Sequence, residues 1–221
     1  MIWLIGNRGM LGSAVEKLLK NKKFEYIATD VEVDITRYGV LKEYVEDKNI
    51  EWIINCAAYT AVDKAEDERE LAYKINAEGP ENVARIGNDI GAKLIHISTD
   101  YVFDGQKDGA YIEDDIPNPI NVYGKSKLEG EEFIKSIAED YYIIRTSWLY
   151  GKNGNNFVHT MIKLFNYKDE IGVVSDQWGT PTYTKDLANA ILRIVEIDNN
   201  AFGIYHFSNA GTRVESDKNV E

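Results

Sequence analysis

The sequence predicts an α/β protein built on a doubly wound, Rossmann-type parallel sheet, with a small and incomplete second domain at its C-terminal end. Two observations carry this expectation. Short apolar runs alternate with segments of helical periodicity from residue 2 to residue 145, the pattern of a parallel sheet covered on both faces. The first of these runs leads straight into Gly6, Gly9 and Gly12 and then into a helical stretch, which is the opening of a dinucleotide-binding unit.

Composition sets the outer bounds. The chain has 221 residues, with 44% hydrophobic and 28% charged, enough to form one large domain, or one domain with an appendage, around a folded core. Its net charge is −12, from 25 basic and 37 acidic residues. That argues against nucleic acid and against anionic membrane surfaces as partners, but an anionic small ligand needs only a local positive field. Cys56 is the single cysteine, which rules out an intrachain disulfide and a cysteine metal cluster. No stretch reaches the length of a membrane span and no signal peptide precedes Ile2. A soluble cytoplasmic protein is expected.

Ile2 to Ile5 reads as a buried parallel strand. In the turn after it, Gly6 allows the tight bend, Gly9 admits a pyrophosphate and Gly12 lets the next helix pack close. That helix carries Ala14, Val15, Leu18 and Leu19 inward, and its N-terminus offers N–H donors to phosphate. Glu25 to Asp30 is the second strand, and Asp30 stands where an acid meets the adenosine ribose, which favours NAD. Arg8 pulls the other way, because a guanidinium there can pair with a 2′-phosphate. Asp34, Ile35 and Thr36 should cap a helix with Val40, Leu41, Tyr44 and Val45 on its apolar face. Trp52 to Asn55 is a third strand, followed by the small residues Cys56, Ala57 and Ala58, with Tyr59 and Thr60 beyond them. Asp63 to Glu68 is a charge run, expected as a solvated helix start. Gly79-Pro80 should kink or restart the helix after it.

Lys93 to Ile97 is the fourth strand, and His96 within it is expected to be a core histidine. Ser98 to Gly105 leaves its end. The loop from Gly105 to Pro119, rich in Asp, Gly and Pro, has the length of a site wall. A helix then starts near Tyr123 and continues through Leu128, Phe133, Ile134 and Ile137. Tyr142 to Arg145 is the fifth strand, and Trp148 beyond it should stand over the same edge as Thr99. Gly151 to Asn156 is the candidate boundary between units 1–150 and 151–221. Beyond it are expected a helix near Phe157–Phe165, a strand near Ile171–Val174, a helix near Thr184–Val195 and a strand at Ile204–Phe207. Arg213 to Glu221 is polar and should fray.

Tyr123 and Lys127 would lie on one helical face, four residues apart. A phenol is a poor acid–base group near neutrality, and an ammonium beside it favours its ionised form. Thr99 would then hold a substrate oxygen while Tyr123 moves a proton. Surface helices show Tyr-x-x-x-Lys by chance. Here Gly6, Asp30, Ala57, Ser98 and Arg145 all mark carboxyl ends of strands, where ligands bind in such sheets. The acid–base pair and the cofactor candidates therefore share one edge.

Taken together, Gly6–Gly12, Asn55–Glu66, Ser98–Gly105, Asn121–Lys127, Arg145–Trp148 and Asp176–Thr182 resemble the extended short-chain dehydrogenase/reductase family and, within it, the dTDP-4-dehydrorhamnose reductases. The resemblance implies a nucleotide-sugar substrate, NADH or NADPH as cofactor, and hydride transfer to the C4 keto group of dTDP-4-dehydro-L-rhamnose. It implies that Tyr123 is the proton donor, that Lys127 is its activator and a nicotinamide-ribose ligand, and that Thr99 holds the substrate oxygen. Asp100 and Trp148 would contact the nucleotide-sugar. Gly6, Arg8, Gly9, Met10, Leu11, Gly12, Asp30, Asp34, Ile35, Ala58, Tyr59 and Thr60 would line the cofactor. Residues 1–150 would form the dinucleotide-binding domain and 151–221 a partial substrate domain that returns in part to the first.

Two features depart from the family pattern. Relatives that join subunits through magnesium use glutamates where this chain has Ala14 and Lys185, so no such metal is expected. The relatives also run on past the end of this chain, which is either short by nature or a fragment. Apolar surface near Phe157–Phe165 and Ile204–Phe207 would then favour pairing into a homodimer. Two other functions stay open. Sugar-nucleotide dehydratases carry a second acid after the Thr-Asp pair, where this chain has Tyr101. A cofactor-binding regulatory subunit, of the kind that accompanies methionine adenosyltransferase, fits the short C-terminus but not the intact Thr99, Tyr123 and Lys127 set.

Overall fold

A computed structural model describes residues 1–154, 156–168, 170–173, 177–211 and 213–214. The N-terminal elements are β1 (Ile2–Ile5), α1 (Met10–Lys22), β2 (Tyr26–Thr29), α2 (Tyr38–Val45), β3 (Trp52–Asn55), α3 (Val62–Asp67), α4 (Arg69–Tyr73), a π-helical turn (Lys74–Glu78) and α5 (Gly79–Ile90). There follow β4 (Lys93–Thr99), a 3₁₀ turn (Asp100–Val102), α6 (Val122–Ile137), β5 (Tyr141–Thr146), β6 (Leu149–Tyr150) and α7 (Phe157–Phe165). The C-terminal elements are β7 (Trp178–Gly179), β8 (Thr182–Tyr183), α8 (Thr184–Ile197), β9 (Gly203–Phe207) and β10 (Arg213–Val214).

The main sheet has six strands in the order β2-β1-β3-β4-β5-β9, and every pairing in it is parallel. The chain builds outward from β1 to β2 and then crosses to β3 on the other side. The ends of β1 and β3 thus form the switch point where such sheets open a ligand crevice. β1 and β3 are buried along their whole length, as continuous apolar runs covered on both faces require. One layer packs Leu41, Val45, Val83, Ile86 and Ile134 of α2, α5 and α6 against the sheet. The opposite layer packs Leu11, Val15 and Leu19 of α1 with Leu187, Ile191 and Leu192 of α8. Each such aliphatic side chain contributes about 1.5–3 kcal/mol by leaving water.

Several expectations need correction. Asp34 does not cap α2. Its carboxylate accepts from the Thr36 backbone N–H and hydroxyl at 2.9 and 2.8 Å, and the helix starts four residues later at Tyr38, with Arg37 at its N-cap. The local Asx geometry satisfies Asp34 before a helix can use it. No strand forms over Ile171–Val173, and Val174 lies outside the described residues, as does Asp176 of the last motif. The short strands of that region are β7 and β8 instead. Arg213 and Val214 do not fray but pair antiparallel with Gly179 and Trp178; residues 215–221 lie outside the described residues. Gly79-Pro80 does not interrupt the helix: the backbone stays right-handed helical through Glu78 and Gly79, and the π-helical turn passes straight into α5, whose first turn holds Pro80 and needs no N–H from it. The turn before it is a π-bulge, a feature often found at functional sites. Among the described residues no helix is long and apolar enough to cross a membrane.

Candidate active site

The glycine turn is shaped for close backbone contact. Gly6 has a φ of +79°, and a Cβ there would stand 2.7 Å from the Ala57 nitrogen. A Cβ on Gly12 would stand 2.0 Å from the Gly6 carbonyl oxygen. The turn therefore tolerates side chains at neither position. Gly9 is the N-cap of α1 and has no side chain with which to cap it. The first-turn N–H groups of Met10, Leu11 and Gly12 are left to an outside acceptor, and the helix dipole makes an anion the preferred one. This cradle fits a dinucleotide pyrophosphate.

At the end of β2, Asp30 accepts the backbone N–H groups of Arg8 and Val31 at 3.0 and 2.9 Å. The Arg8 guanidinium pairs with Glu32 at 3.0 Å. Two backbone N–H groups, together with Arg8, hold Glu32 below the usual carboxylate range. The lip that would meet the adenosine ribose thus carries two acids and one base, already engaged with each other. Ile35, in contrast, turns its side chain into the core against Gly79.

The loop after β3 is held by a residue the sequence did not single out. Asn76, buried in the π-turn, accepts the Tyr59 N–H at 2.8 Å and donates to the Tyr59 carbonyl at 3.0 Å. Its amide also donates to Ser126 of α6 at 3.1 Å. The bulge aims this one side chain at both loop and helix, so Ala58, Tyr59 and Thr60 are fixed relative to α6. The Tyr59 hydroxyl donates to Glu68 at 2.7 Å, which, with burial, pushes that phenol up to about 12. Glu66, in the charge run expected only to meet solvent, accepts the Val122 N–H at 2.8 Å.

α6 begins where Asn121 accepts the Gly124 N–H at 2.7 Å. A Cβ on Gly124 would lie 2.1 Å from the Tyr101 carbonyl oxygen, so glycine lets the helix start directly against the turn that follows Thr99. Tyr123, Lys127 and Glu131 then form one buried stripe, spaced four apart. Tyr123 is buried at the end of β4, near enough to Thr99 for that side chain to act on its phenol, and it meets the Tyr101 ring edge-on at 5.5 Å. Burial pushes the Tyr123 phenol up to about 12, with Thr99 acting in the opposite sense and Asp100 and Tyr101 in the same one. Burial also raises Asp100 to about 6. The Lys127 amine donates to the Ile97 carbonyl at 2.7 Å and contacts His96 Nε2 at 3.1 Å. Burial lowers it to about 8, while Glu131 and Cys56 act in the opposite sense.

Glu131 completes the stripe. Its carboxylate takes Arg145 Nε at 3.1 and 3.2 Å and Nη2 at 2.6 Å, and Ser98 donates to it as well. The buried pair locks α6 to the ends of β4 and β5, behind Lys127. Its signal in the sequence was the repeat of the four-residue spacing beyond Lys127.

A cleft of about 650 Å³ opens beside Asp100 and Thr146, walled by the loop from Gly105 to Tyr111, Trp178 and His206. Asp104 ties the loop down by accepting from Gln106 N–H, the Tyr111 hydroxyl and Asn118 at 2.8–2.9 Å. Trp148 has a φ of +42°, and its ring lies so close to Gly179 that a Cβ there would be 2.5 Å away. Trp148 thus supports the strand that carries Trp178, and Trp178 forms the open wall. Among the described residues no group of three or more His, Cys, Asp or Glu side chains is placed to hold a metal ion.

The structure thus brings Gly6, Arg8, Gly9, Gly12 and Asp30 to the switch-point edge. It sets Thr99, Asp100, Tyr123 and Lys127 along the adjoining strand end. The family model for the RmlD substrate binding domain matches residues 1–218. A dTDP-4-dehydrorhamnose reductase from Aggregatibacter actinomycetemcomitans is 43% identical over 211 residues, covering 93% of this chain and 72% of that protein. A dTDP-4-dehydrorhamnose reductase from Clostridium acetobutylicum superposes with a TM-score of 0.92 at 48% identity, over 96% of this chain and 75% of that one. One from Bacillus anthracis, solved in complex with NADP, superposes with a TM-score of 0.92 at 46% identity, with the same coverage of 96% and 75%.

Proposed function

The chain belongs to the RmlD substrate binding domain family, and on that premise we propose that it is an NAD(P)H-dependent reductase of dTDP-4-dehydro-L-rhamnose, forming dTDP-L-rhamnose for polysaccharide biosynthesis. The observation that carries this reading is the buried stripe of Tyr123 and Lys127, one turn apart on α6, held to the end of β4 by the Lys127 bond to the Ile97 carbonyl at 2.7 Å, on the same sheet edge as the glycine cradle. A bound reduced nicotinamide supplies the hydride that reaches the C4 carbon. The residues of this chain handle the oxygen. Thr99 holds the carbonyl oxygen, and Tyr123 gives it the hydroxyl proton as negative charge develops there. A phenol raised to about 12 by burial stays protonated at neutral pH, the form a proton donor needs.

The turn from Gly6 to Gly12 would hold the pyrophosphate, Asp30 and Arg8 the adenosine end, Ala58 to Thr60 the middle, and Lys127 the nicotinamide ribose. Asp100 and the cleft beside it would take the sugar nucleotide, with residues 1–150 as the cofactor domain and the rest contributing the substrate side. A cytoplasmic location is part of this reading, and a net charge of −12 gives no footing for nucleic acid. A homodimer fits the apolar face of α7, where Phe157, Ile162 and Phe165 are 50, 58 and 71% exposed; sedimentation as a monomer at high concentration would sink that part. The reading as a whole is tested by calorimetric titration with NADH, NADPH, NAD⁺ and NADP⁺. Binding of at least one is required, and binding of none removes its basis.

A further inference from the structure

The catalytic stripe continues into the sheet through groups that the reaction above does not use. Asn55, at the end of β3, and His96, in the middle of β4, are both fully buried. Asn55 Oδ1 accepts the Ala57 N–H at 3.0 Å. That bond fixes which end of the amide is oxygen, so Nδ2 is the atom that faces His96 Nδ1 at 3.2 Å. An amide nitrogen only donates, so Nδ1 must accept. Burial keeps His96 uncharged, well below the ordinary histidine range. The single ring proton therefore sits on Nε2, which is 3.1 Å from Lys127 Nζ. A neutral amine can accept that N–H, whereas an ammonium cannot. The string from Ala57 through Asn55 and His96 to Lys127 is matched donor to acceptor only when Lys127 is an amine.

Resting on the reductase reading, we infer that His96 is a positioning residue for the reaction: oriented by Asn55, it biases Lys127 toward the neutral amine, so that the charge beside Tyr123 is gained or lost near the working pH. Lys127 also faces Glu131 on its own helix, which is paired with Arg145 of β5, and Cys56 after β3. Both favour the ammonium. Tyr123 lies one turn away on α6. His96 is the member of this set that donates to the amine and so favours the uncharged form.

The first test uses the wild-type protein. Long-range ¹H–¹⁵N correlation of its three histidines should find His96 neutral with the proton on Nε2 at about pH 9, where Lys127 is an amine. A proton on Nδ1 would overturn the inference. The second test follows kcat/KM against pH. In His96→Gln the side-chain oxygen can turn to Lys127 and accept from an ammonium. In Asn55→Asp an acceptor replaces Nδ2 and moves the His96 proton to Nδ1. Each variant should shift the alkaline loss of activity upward by about one pH unit, the scale of one hydrogen bond. An unchanged alkaline limb in a folded, active His96→Gln would make His96 a packing residue. If the wild type does not turn over, the reductase reading fails, while the tautomer result still decides the string.

Discussion

Glu131 and Arg145 meet at 2.6 Å with their side chains 0 and 3% exposed. The pair stands one helical turn beyond Lys127 and ties α6 to the strand ends on which Thr99 and Ser98 lie. Its worth is in position more than in stability, since two charges leave water to form it. Breaking one side leaves the other charge uncompensated. Glu131→Gln should cost about 3–5 kcal/mol in denaturant unfolding. Replacing both residues with apolar ones of similar size should cost much less. If the single change were as mild as the double, the pair would not be holding the helix in place.

The cofactor lip gives a second expectation. Arg8 is paired with Glu32 at 3.0 Å, so a 2′-phosphate has to compete with that carboxylate for the guanidinium. Arg8→Ala should weaken NADPH more than NADH, because only the former offers the phosphate. Glu32→Gln should do the reverse and favour NADPH, by up to about tenfold for one relieved charge contact. Parallel calorimetric titrations check this. Equal changes for both cofactors would place the adenosine end elsewhere.

Asp100 supplies a stability prediction. Its native value of about 6, raised from 3.8 by burial, means that folding takes up a proton between those two values. Stability therefore falls as pH rises through that window and stays lowered above it. Asp100→Asn keeps the shape and removes the ionisation. It should gain on the order of 2–3 kcal/mol at about pH 8 and little below about pH 4. The same change should lower turnover if the carboxylate binds the nucleotide-sugar, a trade of activity for stability seen at many sites. Thermal melts at the two pH values decide the first half, and no gain at the higher value would mean the carboxylate is not strained.

How much of this was legible in the sequence follows from the range of each signal. The strands and the glycine turn are readable because their pattern is local: Trp52 to Ile54 is apolar throughout, and it is buried throughout. Tyr123 and Lys127 were readable because one helix holds both. Asn76 was not, because its partners Tyr59 and Ser126 lie 17 and 50 residues away and a π-bulge has no clear sequence mark. His96 was expected to be a core residue; it is indeed buried, but its neighbours on β3 and α6 come from chain crossovers that periodicity cannot place. The strand expected at Ile171–Val174 does not form over its described part, Ile171–Val173, because a short apolar run does not say whether a partner strand is within reach. Arg213 and Val214 read as a fraying end because their partner, Trp178-Gly179, is itself a two-residue strand.

The central claim is that Tyr123 gives the proton while a reduced nicotinamide gives the hydride. The most direct measurement is the loss of reduced-nicotinamide absorbance with dTDP-4-dehydro-L-rhamnose, for wild type and for Tyr123→Phe, with cofactor binding measured on both. The account predicts turnover by the wild type and a fall of about a hundredfold or more in Tyr123→Phe, with cofactor affinity little changed. A wild type that binds cofactor but never oxidises it would make the chain a cofactor-binding regulatory protein. A Tyr123→Phe variant that turns over at the wild-type rate would show that the proton comes from another group.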